Sequence, residues 1–178
     1  MIYEFLAEGF EEMEAIAPLD ILRRAGIQVQ SVSVGGRVVT GSHGIAITCD
    51  ITLEEMDREA CEGVILPGGP GRANLAVSPD VLELLKRVTE KDGMIAAICG
   101  APEILGLHGY LEGKRACCFP GSEKDLVGAQ VLYDPVVVDG NVITSRGAGT
   151  ATLFALALVE YLVSTEKAKE IAAQIQCP

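Results

Sequence analysis

Short apolar runs alternate with amphipathic segments along most of the chain. Four runs rich in aliphatic residues predict strands at Ile2 to Ala7, Ile27 to Val34, Gly63 to Leu66 and Met94 to Ile98. Segments with helical spacing predict helices at about Glu11 to Ala25, Pro79 to Glu90 and Pro102 to Leu107. Because strands and helices that alternate in this way form βαβ units, the pattern predicts the α/β class with a largely parallel sheet.

The remaining segments are predicted additions to this α/β frame. Glycines within the alternating stretch Val38 to Thr48 predict one hairpin, and Asp139-Gly140 between two β-branched runs predicts a second over Val136 to Thr144. A long helix is expected at about Thr150 to Val163, followed by another at Glu166 to Gln174. Since the chain has no internal repeat, linker or low-complexity stretch, residues 1–178 are predicted to form a single domain.

Composition narrows the class of protein. Of the 178 residues, 49% are hydrophobic and 22% are charged, which favours a globular fold with a sizeable core. The formal net charge of −11 offers no basic surface, so we expect neither nucleic acid nor a membrane as a partner. Six cysteines are too few for a disulfide scaffold, and the first residues lack the basic flank of a signal peptide. We therefore expect a cytoplasmic protein with reduced thiols.

The apolar run Met94 to Ile98 ends on Cys99. Pro102 suits the first turn of a helix, so Cys99 is predicted to lie at a helix N-terminus beyond the carboxyl end of a strand. At such a position the helix dipole lowers a thiol pKa and favours the reactive thiolate. The alternative is a small buried hydrophobic residue, but a strand-to-helix turn directs the sulfur out of the core and favours the reactive interpretation.

A second candidate is the glycine-rich turn Gly68-Gly69-Pro70-Gly71-Arg72, which follows a predicted strand. Backbone N–H groups of such a turn can face an anion. Because the segment lacks the Gly-Lys-Ser/Thr ending of a nucleotide-binding loop, an oxyanion-binding turn is favoured over a phosphate cradle. A turn required only by chain geometry is the alternative.

The third candidate is Glu14 in the first predicted helix. Pro18 has no N–H for the Glu14 carbonyl, so the helix is predicted to be distorted where Glu14 lies. If Glu14 turns inward, its carboxyl meets Cys99, has a raised pKa and can move a proton. Otherwise it belongs to a solvated helix face.

The spacing of apolar residues in the same helix predicts which of its sides is buried. Met13, Ile16 and Leu22 suggest the buried stripe, whereas Glu11 and Glu12 are expected to be solvated.

Together these segments resemble the DJ-1/ThiJ/PfpI superfamily, almost end to end. The residues that carry the resemblance are Glu11-Glu-Met-Glu14 with Pro18 and Arg23-Arg-Ala-Gly-Ile27, Leu66-Pro-Gly-Gly69, Ala96-Ala-Ile-Cys99 and Thr144-Ser-Arg-Gly-Ala-Gly-Thr150. The resemblance implies a flavodoxin-like, doubly wound, mostly parallel sheet with helices on both faces, as in class I glutamine amidotransferases, and usually a homodimer. It also implies an oxidisable nucleophile at Cys99, a carboxyl at Glu14 that hydrogen-bonds it, and oxyanion-binding amides at Gly69 and Gly100.

The chain departs from the family's pattern near Cys117-Cys118-Phe119-Pro120. The family often has a histidine before this proline, whereas Phe119 stands here, so no cysteine, histidine and acid triad is expected. Gly100 after the nucleophile disfavours a peptidase, and His108-Gly-Tyr does not supply the His-x-Glu pair of an amidotransferase. Adjacent strand residues face opposite sides, so at most one of Cys117 and Cys118 points towards the site. The residues expected to line the site are Gly68, Cys118, Phe119 and Arg146.

Two hypotheses follow for function. In the enzymatic one, the Cys99 thiolate attacks a small 2-oxoaldehyde such as methylglyoxal or glyoxal, and the Gly69 and Gly100 amides stabilise the oxyanion. Glu14 then moves a proton between neighbouring carbons and a 2-hydroxy acid forms, with no metal, glutathione, nucleotide or other cofactor. Removal of early adducts from glycated amines would use the same site. In the other hypothesis, Cys99 is the oxidisable thiol of a redox sensor or oxidative-stress chaperone.

Overall fold

The computed structural model describes residues 1–177. Its strands are β1 (Ile2–Leu6), β2 (Val29–Ser33), β3 (Val38–Thr40), β4 (Ala46–Thr48), β5 (Ile51–Thr52), β6 (Gly63–Leu66), β7 (Met94–Ile98), β8 (Arg115–Ala116), β9 (Gln130–Val131), β10 (Val136–Asp139) and β11 (Val142–Ser145). Its helices are α1 (Glu12–Arg24), α2 (Arg72–Ala76), α3 (Pro79–Glu90), α4 (Pro102–Leu107), α5 (Ala151–Leu162) and α6 (Thr165–Gln174). Where a strand or helix was predicted, its bounds differ from the observed ones by at most two residues; the short elements β5, β8, β9 and α2 were not predicted.

A seven-stranded sheet forms the centre of the molecule, in the order β10-β11-β7-β6-β1-β2-β5. Every neighbouring pair in it is parallel except β10 and β11, which form an antiparallel hairpin. The prediction of an α/β fold with a mostly parallel sheet is confirmed. Both predicted hairpins are also present, because β3 and β4 pair antiparallel as well.

Helices cover both faces of the sheet. The core on one face contains α3 and α4, and α3 contributes Val81, Leu84, Leu85 and Val88 at helical spacing. The core on the other face contains α1, α5 and α6. Both faces are therefore apolar, so a central strand such as β7 consists entirely of buried apolar residues. Within residues 1–177, none of the helices combines the length and the apolar composition needed to cross a bilayer.

The structure corrects the buried stripe that was predicted for helix α1. Met13 is 59% exposed and Ile16 is 44% exposed, whereas Glu12 and Glu14 are buried. The helix runs through Pro18 without interruption. It packs its other side on α5, and its first turn lies over the loops that follow β1 and β6, so the polar side chains there point inward.

Glu12 is buried because it caps a neighbouring turn. Its carboxylate accepts hydrogen bonds from the backbone N–H groups of His43 (2.7 Å) and Ile45 (3.4 Å), and it contacts the His43 ring at 2.9 Å. Burial opposes ionisation of Glu12, but these hydrogen bonds dominate and lower its pKa to about 2. The expectation of a solvated Glu12 is therefore wrong, since the β3–β4 hairpin supplies the donors that water would otherwise provide.

Candidate active site

The three predicted site segments meet at the carboxyl ends of neighbouring strands. Glu14 comes from the first turn of α1 after β1, Gly68 from the turn after β6, and Cys99 from the residue directly after β7. Because β1, β6 and β7 are adjacent in the centre of the sheet, these turns converge on one edge.

Cys99 has an unusual backbone conformation, with a φ of +66°. A residue with a side chain rarely adopts this left-handed region, and doing so costs about 1–3 kcal/mol. Hydrogen bonds on both sides hold it there, because the Cys99 N–H donates to the Ser145 carbonyl (2.9 Å) and the Cys99 carbonyl accepts from the Phe119 N–H (2.7 Å). The sharp turn directs the side chain towards the surface, and Cys99 is half-buried.

Glu14 lies against this thiol and is only 1% exposed. Its Oε2 atom accepts a hydrogen bond from the Gly68 N–H at 2.8 Å, whereas its Oε1 atom is buried without a hydrogen-bond partner. Gly68 has to be a glycine here, because a Cβ atom would lie 2.6 Å from Glu14 Oε2 and 2.7 Å from Cys99 Cβ. Glu14 therefore keeps one oxygen atom available for the thiol or a bound molecule.

Burial raises the pKa of the Glu14 carboxyl to about 7, although the neighbouring Cys99 thiol and the hydrogen bond from the Gly68 N–H oppose this shift. Burial, together with the negative charge of an ionised Glu14, raises the pKa of the Cys99 thiol to about 12. Because the two groups are in contact, these values describe the loss of a first and then a second proton from one pair. At a pH between these two pKa values the pair holds one proton. When Glu14 carries that proton, its carboxyl can donate a hydrogen bond to the Cys99 thiolate.

The predicted lowering of the Cys99 pKa by a helix dipole is therefore wrong. Cys99 precedes Ala101, the N-cap residue of α4, and that helix has only six residues. The backbone N–H groups of Gly100 and Gly69 do face the thiol and lower its pKa, but burial and Glu14 outweigh them.

The same two N–H groups are the predicted oxyanion-binding amides. Gly69 has a φ of +80°, and a Cβ atom there would lie 2.6 Å from both the Glu11 nitrogen and the Gly9 oxygen, so only glycine fits. They come from two different turns, and both lower the pKa of the Cys99 thiol. Such an arrangement can stabilise negative charge on a group bound to Cys99.

A cavity of about 280 Å³, called here the Cys99 cavity, opens beside the thiol; it is lined by Gly69, Pro70, Arg72, Cys99, Gly100, Phe119 and Ser122. Its size suits a ligand of a few heavy atoms. Phe119 is 51% exposed and forms part of the wall, in the place where a histidine would have completed a triad.

The structure does not bring all of the expected lining residues to this cavity. Cys118 is buried in the apolar core between the sheet and α4, so its predicted place at the site is corrected. Arg146 lies in an adjoining cavity of about 360 Å³, where its guanidinium donates to the Tyr133 carbonyl at 3.3 Å. Phe119 lines both cavities and lies between them.

The sequence does not predict one feature of the site, the ion pair between Arg72 and Glu103. Arg72 lines the Cys99 cavity and forms an ion pair with Glu103 of α4 at 2.9 Å. Arg72 is visible in the glycine-rich turn and Glu103 follows Pro102, but no local pattern joins two residues so far apart in the chain.

A separate polar cluster, formed by Glu11, Glu12 and His43, brings three potential metal ligands within 4.8 Å of one another. Glu12 accepts hydrogen bonds from the 42–45 turn and Glu11 accepts one from the Glu14 N–H at 2.8 Å, which already accounts for the positions of both carboxylates. We assign no metal to it.

Comparison with known proteins places this arrangement in a family. The sequence model of the DJ-1/PfpI family matches residues 1–161. The chain belongs to the DJ-1/PfpI family. The fold expected from the resemblance is confirmed by the crystal structure of Drosophila melanogaster DJ-1beta, which has a TM-score of 0.93 and 38% sequence identity, with 99% of this chain and 97% of that chain covered.

Sequence relatives carry names that describe an activity. The chain is 43% identical over 171 residues to the Drosophila protein dj-1beta, with 94% of this chain and 91% of the relative covered. It is 37% identical to a protein of Caenorhabditis elegans named glutathione-independent glyoxalase, with 92% and 89% covered. It is 33% identical to a protein of Pyrococcus abyssi named deglycase, with 80% and 87% covered. Glyoxalase and deglycase activities therefore occur among members of the DJ-1/PfpI family.

Proposed function

We propose that this chain is a cysteine-dependent, cofactor-free enzyme that converts small 2-oxoaldehydes such as methylglyoxal and glyoxal, or their early amine adducts, into 2-hydroxy acids. The observation that carries the proposal is the Glu14 carboxyl, which is buried against the Cys99 thiol with its Oε1 atom unbonded, while the N–H groups of Gly69 and Gly100 act on the same thiol. This combines a nucleophile, a proton carrier and an oxyanion site beside a cavity of about 280 Å³. The glyoxalase and deglycase names of relatives support the same chemistry.

The first step forms a bond between Cys99 Sγ and the aldehyde carbon. The thiolate attacks while Glu14 holds the thiol proton, and the carbonyl oxygen becomes an oxyanion near the N–H groups of Gly69 and Gly100. Proton transfer to that oxygen gives a hemithioacetal.

The second stage moves a proton between carbons. Glu14 removes the proton from the former aldehyde carbon, and the neighbouring ketone carbon receives one, which converts the hemithioacetal into a thioester of a 2-hydroxy acid. Water then cleaves the thioester, releases the 2-hydroxy acid and restores the thiol. The overall change adds one water to the 2-oxoaldehyde, with no net oxidation and no external electron acceptor. On an early amine adduct, a carbinolamine, the C–N bond breaks as the C–S bond forms; the amine leaves with the proton held by Glu14, and the resulting hemithioacetal follows the same later steps.

Lactate formation from methylglyoxal, measured without added thiol, tests this proposal. Replacement of Cys99 with alanine should abolish turnover, and replacement of Glu14 with glutamine should lower kcat by about 10²- to 10⁴-fold because proton transfer fails. Cys177→Ser is the matched control, because Cys177 is also half-buried but lies at the C-terminal end, away from the cavity. Turnover at the parent rate in Glu14→Gln, or no lactate from the parent protein, would contradict the enzyme proposal.

Redox sensing is the second candidate function, because the same N–H groups and a protonated Glu14 can hold a sulfinate on Cys99. Peroxide titration with mass spectrometry distinguishes the two functions. A sensor requires stoichiometric oxidation of Cys99 and no release of lactate. For a sensor, Glu14→Gln should change how far the thiol oxidises, with no lactate released by either protein. A cytoplasmic location, with the thiols reduced at rest, suits either function.

A further inference from the structure

The two N–H groups that face Cys99 belong to separate segments. Gly69 lies in the turn after β6, whereas Gly100 lies in the turn between β7 and α4. An oxyanion site works only when its donors are held within about 0.5 Å of their productive positions. Something has to fix the two turns relative to each other.

Arg72 contacts both turns. Its Nη1 group donates to the Gly69 carbonyl at 3.3 Å, and its side chain covers Gly100 so closely that a Cβ atom there would lie 2.5 Å from Nε. The absence of a side chain at Gly100 is therefore what allows the guanidinium to lie on this turn.

Glu103 completes the connection on the other side. Its Oε1 and Oε2 atoms accept from Arg72 Nε (2.9 Å) and Nη2 (3.4 Å), and its own backbone N–H donates to the Gly100 carbonyl at 3.1 Å. The ion pair therefore links the two turns: Arg72 contacts the Gly69 carbonyl, and Glu103 closes the turn at Gly100. A planar guanidinium can make these contacts in three directions at once, whereas a lysine ammonium has no such fork.

Burial distinguishes this pair from most ion pairs of the molecule. The side chains of Arg72 and Glu103 are 33% and 18% exposed, and Arg72 lines the Cys99 cavity. Nε and Nη2 are occupied by Glu103, and Nη1 is held by the Gly69 carbonyl, so the guanidinium is directed mainly at protein groups. This favours a positioning role over direct binding of substrate.

We propose that the Arg72–Glu103 pair is a positioning clamp that holds the Gly69 and Gly100 N–H groups on the reacting atoms at Cys99. The proposal rests on the proposed function for its kinetic consequences. Its effect on the thiol itself does not depend on turnover, because the same N–H groups act on the Cys99 sulfur.

Arg72→Lys and Glu103→Gln test the clamp in lactate formation. We expect kcat to fall by about 10- to 100-fold in each variant, less than the 10²- to 10³-fold loss typical when an oxyanion donor is removed outright, with KM within about threefold of the parent. The charge-exchanged variant with Arg72→Glu and Glu103→Arg should not recover the loss, because a carboxylate in place of the guanidinium cannot donate to the Gly69 carbonyl. Arg58→Lys is the matched control, because Arg58 is 30% exposed and pairs with Asp80 and Glu83 at a site away from the cavity.

Alkylation of Cys99 by iodoacetamide provides a readout that needs no catalysis. Loss of the clamp should slow alkylation severalfold in Glu103→Gln, since the N–H groups no longer stabilise the thiolate. A purely electrostatic effect has the opposite sign, because removal of the Glu103 charge leaves Arg72 unpaired near the thiol and speeds alkylation.

Three results would overturn the clamp: a parent alkylation rate in both variants, faster alkylation in Glu103→Gln, or a change in KM alone. A parent protein that makes no lactate but shows slower alkylation in both variants would contradict the proposed function and still support the clamp.

Discussion

At the scale of single residues, the chemistry depends on how Glu14 and Cys99 share protons. Burial keeps the pKa of Glu14 at about 7, and the pair then retains its last proton up to a pKa of about 12. Within this range the remaining proton can lie on oxygen or on sulfur, and only the form with the proton on Glu14 has a nucleophilic thiolate. The reactivity of Cys99 is thus a property of the pair.

This sharing predicts a pH signature for alkylation. In the parent protein the rate at Cys99 should rise as the pH passes about 7, because loss of the first proton makes the thiolate form accessible. Glu14→Gln should lack this step, since an amide cannot lose a proton. Peptide mass spectrometry at limiting iodoacetamide, from pH 5.5 to 9, measures both variants.

The other cysteines provide an internal control in the same mass-spectrometry experiment. Cys49, Cys61, Cys117 and Cys118 are buried, so the thiol left to compete with Cys99 for reagent is Cys177, which is half-buried in one subunit and is covered further if two subunits pair through α1. We expect Cys99 to be labelled first near neutral pH in the parent protein. Preferential labelling of Cys177, or a step near pH 7 that persists in Glu14→Gln, would contradict the proposed role of Glu14.

At the scale of elements, β1 contains a second buried carboxyl. Glu4 is fully buried, and neither of its oxygen atoms has a hydrogen-bond partner among residues 1–177. Burial raises its pKa well above the ordinary value of 4.5, and the charge of Arg23 offsets this only in part. Burial therefore favours the protonated form of Glu4 in the folded protein. The stability associated with that proton is complete below about pH 4.5 and is lost progressively as the pH rises towards the folded pKa.

Replacement of Glu4 with methionine should remove this dependence. Methionine has a similar shape and no unsatisfied oxygen, so the free energy of unfolding at pH 7.5 should rise by about 1–3 kcal/mol. Urea denaturation at several values between pH 5 and 8 measures both the gain and the slope. Glu54→Met, at an exposed carboxylate, is the control. An unchanged pH slope in Glu4→Met would show that Glu4 is not the titrating group.

The elements also show which features a sequence can predict. The four main strands and the helix α3 follow from residues close together in the chain, whose spacing alone decides which side is buried. The buried side of helix α1 could not be predicted in this way. Glu12 and Glu14 are buried because they accept hydrogen bonds from the 42–45 turn and from Gly68, which lie more than 25 residues away in the chain. The position of Cys99 after a strand was predictable, whereas the Arg72–Glu103 pair and the raised thiol pKa depend on contacts between distant turns.

At the scale of the whole molecule, the outer side of α1 forms an apolar face with α5. Met13, Ile16 and Leu153 are exposed there by 59%, 44% and 42%. Two cavities, of about 410 and 570 Å³, lie along this face and share Ala17, Asp20 and Thr152 in their walls. Exposed apolar side chains grouped in this way are typical of an interface, and here Asp20 and Thr152 add polar groups to the face. Since the opposite side of α1 positions Glu14, such an interface would also brace the helix that holds the proton carrier.

The family resemblance implies a homodimer, and we infer that it forms through this α1–α5 face. Light scattering after size exclusion should give about twice the monomer mass of 18.7 kDa for the parent protein. Ile16→Lys should give the monomer mass, because dimerisation would bury an unpaired ammonium group. Val77→Lys, which places the same charge at a residue 74% exposed on the opposite side of the sheet, should remain dimeric. A parent protein of monomer mass across micromolar dilution, or a dimer that survives Ile16→Lys, would exclude this face as the interface.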